Sequence, residues 1–131
     1  MGSVAMPKRI VTDKAPQAIG PYSQAIAHGE LVFLSGQIGL DPSTGALVAG
    51  GTAAEAEQVL KNLQAVLGSA GLGFEHVVRT TIYLVDLGDF VAINEIYARY
   101  VREPYPARAT VGVAALPRGA RIEIDAIAVH R

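Results

Sequence analysis

Thr52-Ala-Ala-Glu-Ala-Glu-Gln-Val-Leu-Lys-Asn-Leu-Gln-Ala-Val-Leu-Gly-Ser-Ala-Gly71 decides the fold. Ala53, Ala56, Val59, Leu60, Leu63, Val66, Leu67 and Ala70 recur at helical spacing, so one face is apolar and must be covered. Thr52 reads as the N-cap, with Glu55 three residues on as its capping-box partner, and Gly71 as the stop. What flanks this helix is β-like. Val77–Val85 is rich in β-branched residues and reads as a strand. Asp89 can cap a second helix with Phe90, Ile93, Tyr97, Tyr100 and Val101 on its apolar face, ended by Pro104. Upstream, Leu31–Gln37 reads as a strand, paired with Ser23–His28 through a turn at Gly29-Glu30; Asp41–Gly45 has turn chemistry. Downstream, Arg108–Leu116 and Arg121–Val129 read as two further strands joined around Pro117–Ala120. Strands, helix, strand, helix and two strands predict an α+β fold: a mixed sheet with two helices packed on one face.

At 131 residues, one domain spanning 1–131 is expected. Such a chain buries roughly two thirds of its unfolded surface and needs no covalent staple. Residues 1–6 read as a leader or cloning remnant, with Met6 as an internal start. The absence of cysteine excludes disulfides, thiolate metal sites and cysteine nucleophiles; it fits a reducing compartment, and the cytoplasm is the expected location. Eleven basic and twelve acidic residues give a net charge of −1 with no basic block, which disfavours a phosphate-binding footprint. No apolar run approaches the length of a membrane span. Half of the residues are apolar and 18% are charged. Because the strands do not alternate cleanly, the sheet face away from the helices carries apolar side chains, and self-association is expected.

Arg108 follows Pro104-Tyr-Pro-Ala107 and opens an apolar strand of small residues. It is either a charge at a strand entrance or a planar fork for a carboxylate, a geometry that Lys does not offer. In the last strand, Ile122, Ile124, Ala126 and Ala128 share one face, and Arg121, Glu123, Asp125, Ile127 and Val129 the other. Glu123 is either part of a solvated face or a carboxylate that positions a water and moves its proton. If the last two strands form a hairpin, Arg108 lies near Val129, about 20 Å along the strand from Glu123. One chain could not then bring the two to one small substrate, and the site would lie between subunits. Gly20-Pro21-Tyr22 projects a tyrosine that either packs on its loop or lids a ligand. Ser35-Gly36-Gln37 ends a strand at a bulge, or offers a backbone N–H to an anion. Asn94 is a polar break in the second helix. His28, His76 and His130 lack metal-ligand spacing and read as surface residues. Gly68, Gly71 and Gly73 close a helix rather than open one, so they form no dinucleotide fingerprint; Ser35 lacks a nucleophile-elbow pattern.

Taken together, these segments resemble the RidA/YjgF family of reactive-intermediate deaminases. The likeness runs through Gly-Pro-Tyr22-Ser-Gln, Ser-Gly-Gln37, Val-Arg-Thr-Thr-Ile-Tyr-Leu-Val-Asp-Leu87, Phe-Val-Ala-Ile-Asn94-Glu-Ile-Tyr97, Tyr-Pro-Ala-Arg108, and Leu116-Pro followed by Ile-Glu123-Ile-Asp-Ala-Ile-Ala-Val129. The resemblance implies a chorismate-mutase-like fold and a homotrimer with sheets facing inward and ligand clefts between subunits. It implies hydrolysis of 2-imino acids such as 2-iminobutanoate and 2-iminopropanoate to 2-oxo acids and ammonia, without metal or other cofactor. Such an activity would clear reactive products of enzymes that use pyridoxal phosphate. By the same resemblance Arg108 binds the substrate carboxylate, Glu123 handles the water, Tyr22 and Asn94 line the cleft, and Gly36 makes a backbone contact. Thr110 stands where branch members carry cysteine, so its backbone is expected to serve in place of a side chain. Other branches of the fold, without the arginine, resemble non-catalytic binding modules or have chaperone-like or RNA-directed roles. Retention of Arg108 argues for the deaminase branch.

Overall fold

The computed structural model describes residues 6–130, so the leader assignment falls almost wholly outside the described residues. The elements are β1 (Lys8–Ile10), β2 (Ala25–His28), β3 (Leu31–Gln37), α1 (Gly51–Ser69), β4 (Val77–Leu84), α2 (Phe90–Tyr97), β5 (Ala107–Gly112) and β6 (Ile122–Val129). The strands form one six-stranded sheet in the order β1-β2-β3-β6-β4-β5. All pairs are antiparallel except β4 and β5. A parallel pair needs a crossover, and α2 provides it.

The α+β expectation holds, with both helices on one face of the mixed sheet. The period-two pattern of β6 explains the layering. Ile122, Ile124, Ala126 and Ala128 are buried, whereas the alternate residues Glu123, Asp125, Ile127 and Val129 remain partly accessible. The buried row meets Val59, Leu60, Leu63, Val66 and Leu67 of α1 in one apolar core. Each fully buried Leu, Ile or Val contributes about 1.5–3 kcal/mol relative to exposure. On the other face, Leu31 and Phe33 stay exposed.

The expected hairpin of the last two strands is not formed. β5 lies at the sheet edge against β4, while β6 inserts between β3 and β4. The reason is burial: β6 carries a row of apolar side chains, Ile122, Ile124, Ala126 and Ala128, that is fully buried in a central strand under α1. β5 stops at Gly112 rather than Leu116, and the following segment makes a tight turn at Pro117–Gly119. Arg118, at φ 60°, and Gly119, at φ 72°, turn the chain there.

The helix starts also differ from the capping pattern. α1 begins at Gly51, with Gly50 at φ 116° before it and no side-chain cap. Thr52 and Glu55 have more distant partners. Thr52 Oγ1 donates to Asp89 Oδ2 (2.8 Å) and accepts from Arg121 Nε (2.7 Å), and Glu55 Oε1 accepts from the Arg121 N–H (2.8 Å). Asp89 therefore ties helix to strand rather than capping α2. Helix α2 ends at Tyr97, well before Pro104, and hydrogen-bonded turns carry the chain on to Val101. Gly71 does terminate α1: at φ 76°, it lets Leu72 N–H reach Leu67 O (2.9 Å). Ser23–His28 pairs with β3 as expected from Ala25 onward, and Asp41–Gly45 forms the expected turn.

Asn62 lies buried in the middle of α1. Its Nδ2 donates to Ile38 O (3.3 Å) and Leu40 O (2.9 Å), fastening the segment after β3 to the helix. Asn62→Leu leaves those carbonyls without their donor. It should cost about 1–3 kcal/mol, read as a lower urea midpoint at unchanged slope.

Candidate functional site

The residues singled out from the sequence fall into two groups on opposite faces of the sheet. Arg108, on edge strand β5, is in register with Thr80, which is in register with Ala126; Thr80 and Ala126 face the helices. The Arg108 guanidinium lies over α2. Its Nη1 donates to Asn94 Oδ1 (2.7 Å), and its central carbon lies 5.1 Å from the Tyr97 ring centroid and 5.5 Å from that of Phe90. Asn94 is exposed, and its side chain is also a hydrogen-bond partner of Arg108. A cavity of about 440 Å³ opens here, bounded by Asn94, Tyr97, Val101, Tyr105, Pro106 and Arg108.

Glu123 is in register with Tyr83, on the face away from the helices. Its carboxylate lies on the backbone of Gly36, and a Cβ on that glycine would overlap it. The bulge between Leu34 and Gln37 places Gly36 there. A second cavity, of about 520 Å³, is lined by Ile19, Tyr22, Gly36, Pro117, Arg118 and Glu123 among others. Tyr22 is 54% exposed on the loop above it. That loop is held by buried Gln24, whose Nε2 donates to Pro16 O (2.7 Å) and Thr12 O (3.0 Å) and whose Oε1 accepts from the Thr12 N–H (2.8 Å). Ser35 donates to Ser23 O (2.6 Å), so its hydroxyl is structural.

The structure therefore joins Tyr22, Gly36 and Glu123 in one cluster, and Arg108 and Asn94 in another. Two strand steps and three residues separate the Arg108 and Glu123 backbones, roughly 14 Å, and their side chains point to opposite faces. They do not meet within one chain. That one chain does not bring the two together was expected from a hairpin, but its cause is the layering of the sheet. Thr110 shares the helix-side face of β5 with Arg108; its Oγ1 is buried without a protein hydrogen-bond partner.

Electrostatics distinguish the two clusters. Burial pushes the Glu123 carboxyl above its usual range, and the neighbouring Asp125 charge adds to the effect. Asp125 accepts from Tyr83 Oη (2.9 Å), and that bond to a carboxylate raises the Tyr83 phenol. Among the described residues no group of three or more His, Asp or Glu is arranged to hold a metal ion. His28 and His130 are exposed, but His76 accepts from the Gly73 N–H (3.0 Å) and closes a turn. The residues missed from the sequence are Phe90 and Tyr97 as supports for Arg108, and Ile19 and Arg118 as walls of the Glu123 cavity. Phe90, Asn94 and Tyr97 at i, i+4 and i+7 carried the signal; an apolar stripe was the simpler reading of it.

The fold is that of an α+β protein with two small-molecule-sized cavities, one beside a braced guanidinium and the other beside a carboxyl of raised proton affinity. The chain belongs to the Endoribonuclease L-PSP family, also known as YjgF/RidA, whose model matches residues 12–130. It is 55% identical over 121 residues to the 2-iminobutanoate/2-iminopropanoate deaminase of Homo sapiens, covering 92% of this chain and 88% of that one. It is 60% identical over 124 residues to Protein DfrA of Myxococcus xanthus, covering 93% and 95%. Among solved structures, RidA from an Antarctic Psychrobacter superposes with a TM-score of 0.90 at 48% identity, covering 93% of this chain and 98% of that chain. TdcF of E. coli with bound serine gives 0.89 at 40%, covering 95% and 99%. Among the described residues no helix is long and apolar enough to cross a membrane.

A carboxyl with a raised pKa favours the folded state while protonated. That advantage is fully present below the unfolded value and is lost as pH rises through the folded one. Glu123→Gln removes the charge and keeps the shape. Its melting temperature should match the parent near pH 4 and exceed it increasingly toward pH 8. An unchanged difference across that range would remove the burial argument.

Proposed function

We propose that this protein hydrolyses 2-imino acids and their enamine tautomers to 2-oxo acids and ammonia, at sites completed by two copies of the chain. The observation that supports the reading is the placement of Arg108 and Glu123 on opposite faces, each at the edge of its own cavity. Deaminase relatives at 55–57% identity over most of the chain support the reaction class.

An imine carbon is already electrophilic and becomes more so when its nitrogen is protonated. Arg108 takes the substrate carboxylate through its planar fork, leaving the imine to face the Glu123 of a neighbouring copy. Glu123 orients a water. Its oxygen adds to the carbon of the protonated imine as one proton passes to the carboxylate, giving a tetrahedral amino alcohol. That proton then passes to nitrogen, and the C–N bond breaks as the hydroxyl proton returns to the carboxylate and the C=O forms, releasing ammonia. The balance is imine plus water to oxo acid plus ammonia. A carboxyl whose proton affinity is raised by burial suits a group that must take and return a proton. Tyr22 closes the cleft, Gly36 offers backbone to the ligand, and the Thr110 backbone lies beside Arg108. A homotrimer with open sheet faces turned inward would cover Leu31 and Phe33, both over 40% exposed in the single chain. Enzymes that release imines from serine or threonine would supply the substrate, and cytoplasmic clearance of these imines would be the role.

Generating the imine with a threonine dehydratase and following 2-oxobutanoate release tests the reading; no acceleration at any protein concentration would favour a non-catalytic binding module. Arg108→Ala should lose about 2–5 kcal/mol of transition-state stabilisation and Glu123→Gln about 10²–10⁴-fold in rate. Mixing the two inactive variants through unfolding and reassembly should restore roughly a quarter of parental activity, because random assembly pairs intact halves at that frequency. Absence of any recovery would place the whole site in one chain.

A further inference from the structure

Helix α2 braces Arg108 from three positions one turn apart. Phe90 and Tyr97 lie against the guanidinium, with ring centroids 5.5 Å and 5.1 Å from its central carbon, and Asn94 Oδ1 accepts from Nη1 at 2.7 Å. The Tyr97 ring is itself fixed at its far end. Its hydroxyl lies 2.8 Å from Thr80 Oγ1, and both residues are buried, at 5% and 1% exposure. Thr80 is the register partner of Arg108 on β4. The strand that sets the height of the Arg108 backbone thus also sets the position of the ring beneath its side chain. Arg108, Tyr97, Thr80 and the β4–β5 ladder form a closed circuit.

A guanidinium donates only in its plane, so aromatic contact supports the group without consuming its donors. One N–H is committed to Asn94, and the remaining donors can face the cavity.

We propose that Tyr97, locked by Thr80, is a positioning residue that holds the Arg108 guanidinium in its carboxylate-receiving orientation before substrate arrives. The inference rests on the deaminase reading above and adds to it the element that prepares the fork. Tyr97 acts through Arg108 and not on the reacting atoms. A carboxylate held alike in the ground and transition states contributes to KM more than to kcat. Losing the ring should therefore raise KM and largely spare kcat.

The test is a double-mutant cycle on the assembled protein, with 2-iminobutanoate hydrolysis as readout. Tyr97→Leu removes ring and hydroxyl and should raise KM about tenfold, the size of one cation–π contact. Tyr97→Phe keeps the ring but frees it from Thr80, and Thr80→Val removes the other partner; each should raise KM by a smaller and similar factor. In an Arg108→Ala background, measured as kcat/KM at high protein concentration, none of the three should cause further loss. Melting curves taken alongside identify any variant that is unfolded at the assay temperature. Tyr97→Phe and Thr80→Val carry the test if Tyr97→Leu fails to fold. An unchanged KM in Tyr97→Phe and Thr80→Val, or an equal loss with and without Arg108, would overturn the proposal and leave Tyr97 as core. Arg108→Ala with parental activity would instead overturn the deaminase reading, and this proposal with it.

Discussion

Strand β6 must bury one row of side chains and expose the other, and the rest of the molecule is arranged around that requirement. Ile122, Ile124, Ala126 and Ala128 can be dry only in the middle of a sheet and under a helix. This displaces β5 to the edge and requires the crossover that becomes α2. It also fixes Glu123 on the face opposite the helices, because a strand gives its residues no third direction. A one-residue slip would exchange every residue between the faces, placing Glu123 and Asp125 in the core and the isoleucines outside. The side-chain layout of both clusters thus follows from the hydrophobic register of one strand.

Polar groups then pin the layers at particular points. Arg121, just before β6, meets Thr52 and Asp89 through its side chain and Glu55 through its backbone N–H. It joins the starts of both helices to the entrance of the central strand. Thr80 and Tyr97 do the same at the other end of α2. Fastened near both ends, this short helix can serve as a support for Arg108 although it has only eight residues. Glu123 is held differently, by close approach to Gly36 and by the cost of its burial. One cluster is therefore organised by directed bonds and ring contacts, the other by close packing.

The sequence conveyed the layers well and the connections poorly. Helical spacing from Ala56 to Ala70 and alternation from Ile122 to Val129 report burial, and burial decides the layers. Pairing order is a property of the whole sheet. Nothing local in Arg108–Leu116 or Arg121–Val129 distinguishes neighbours from strands two positions apart, so proximity along the chain suggested a hairpin that the core does not permit. The capping residues misled for a related reason. Thr52, Glu55 and Asp89 have the right chemistry for helix starts, but Arg121, more than thirty residues away from each of them, takes their bonding capacity. Of the site, Arg108, Glu123, Tyr22, Gly36 and Asn94 were legible as unusual residues in their segments. Tyr97 was not, because an aromatic that supports a cation carries the same helical spacing as one that only fills the core.

The contact between Gly36 and Glu123 divides the cavity into parts with very different freedom to change. Its floor cannot accept even a methyl group without displacing the carboxylate, so that surface is closed to redesign. Its walls come from two connections, the loop bearing Ile19 and Tyr22 and the turn bearing Pro117 and Arg118, whose side chains extend into solvent. Attempts to broaden or narrow the range of molecules admitted should diversify positions 19 and 118 together and leave 36 and 123 untouched.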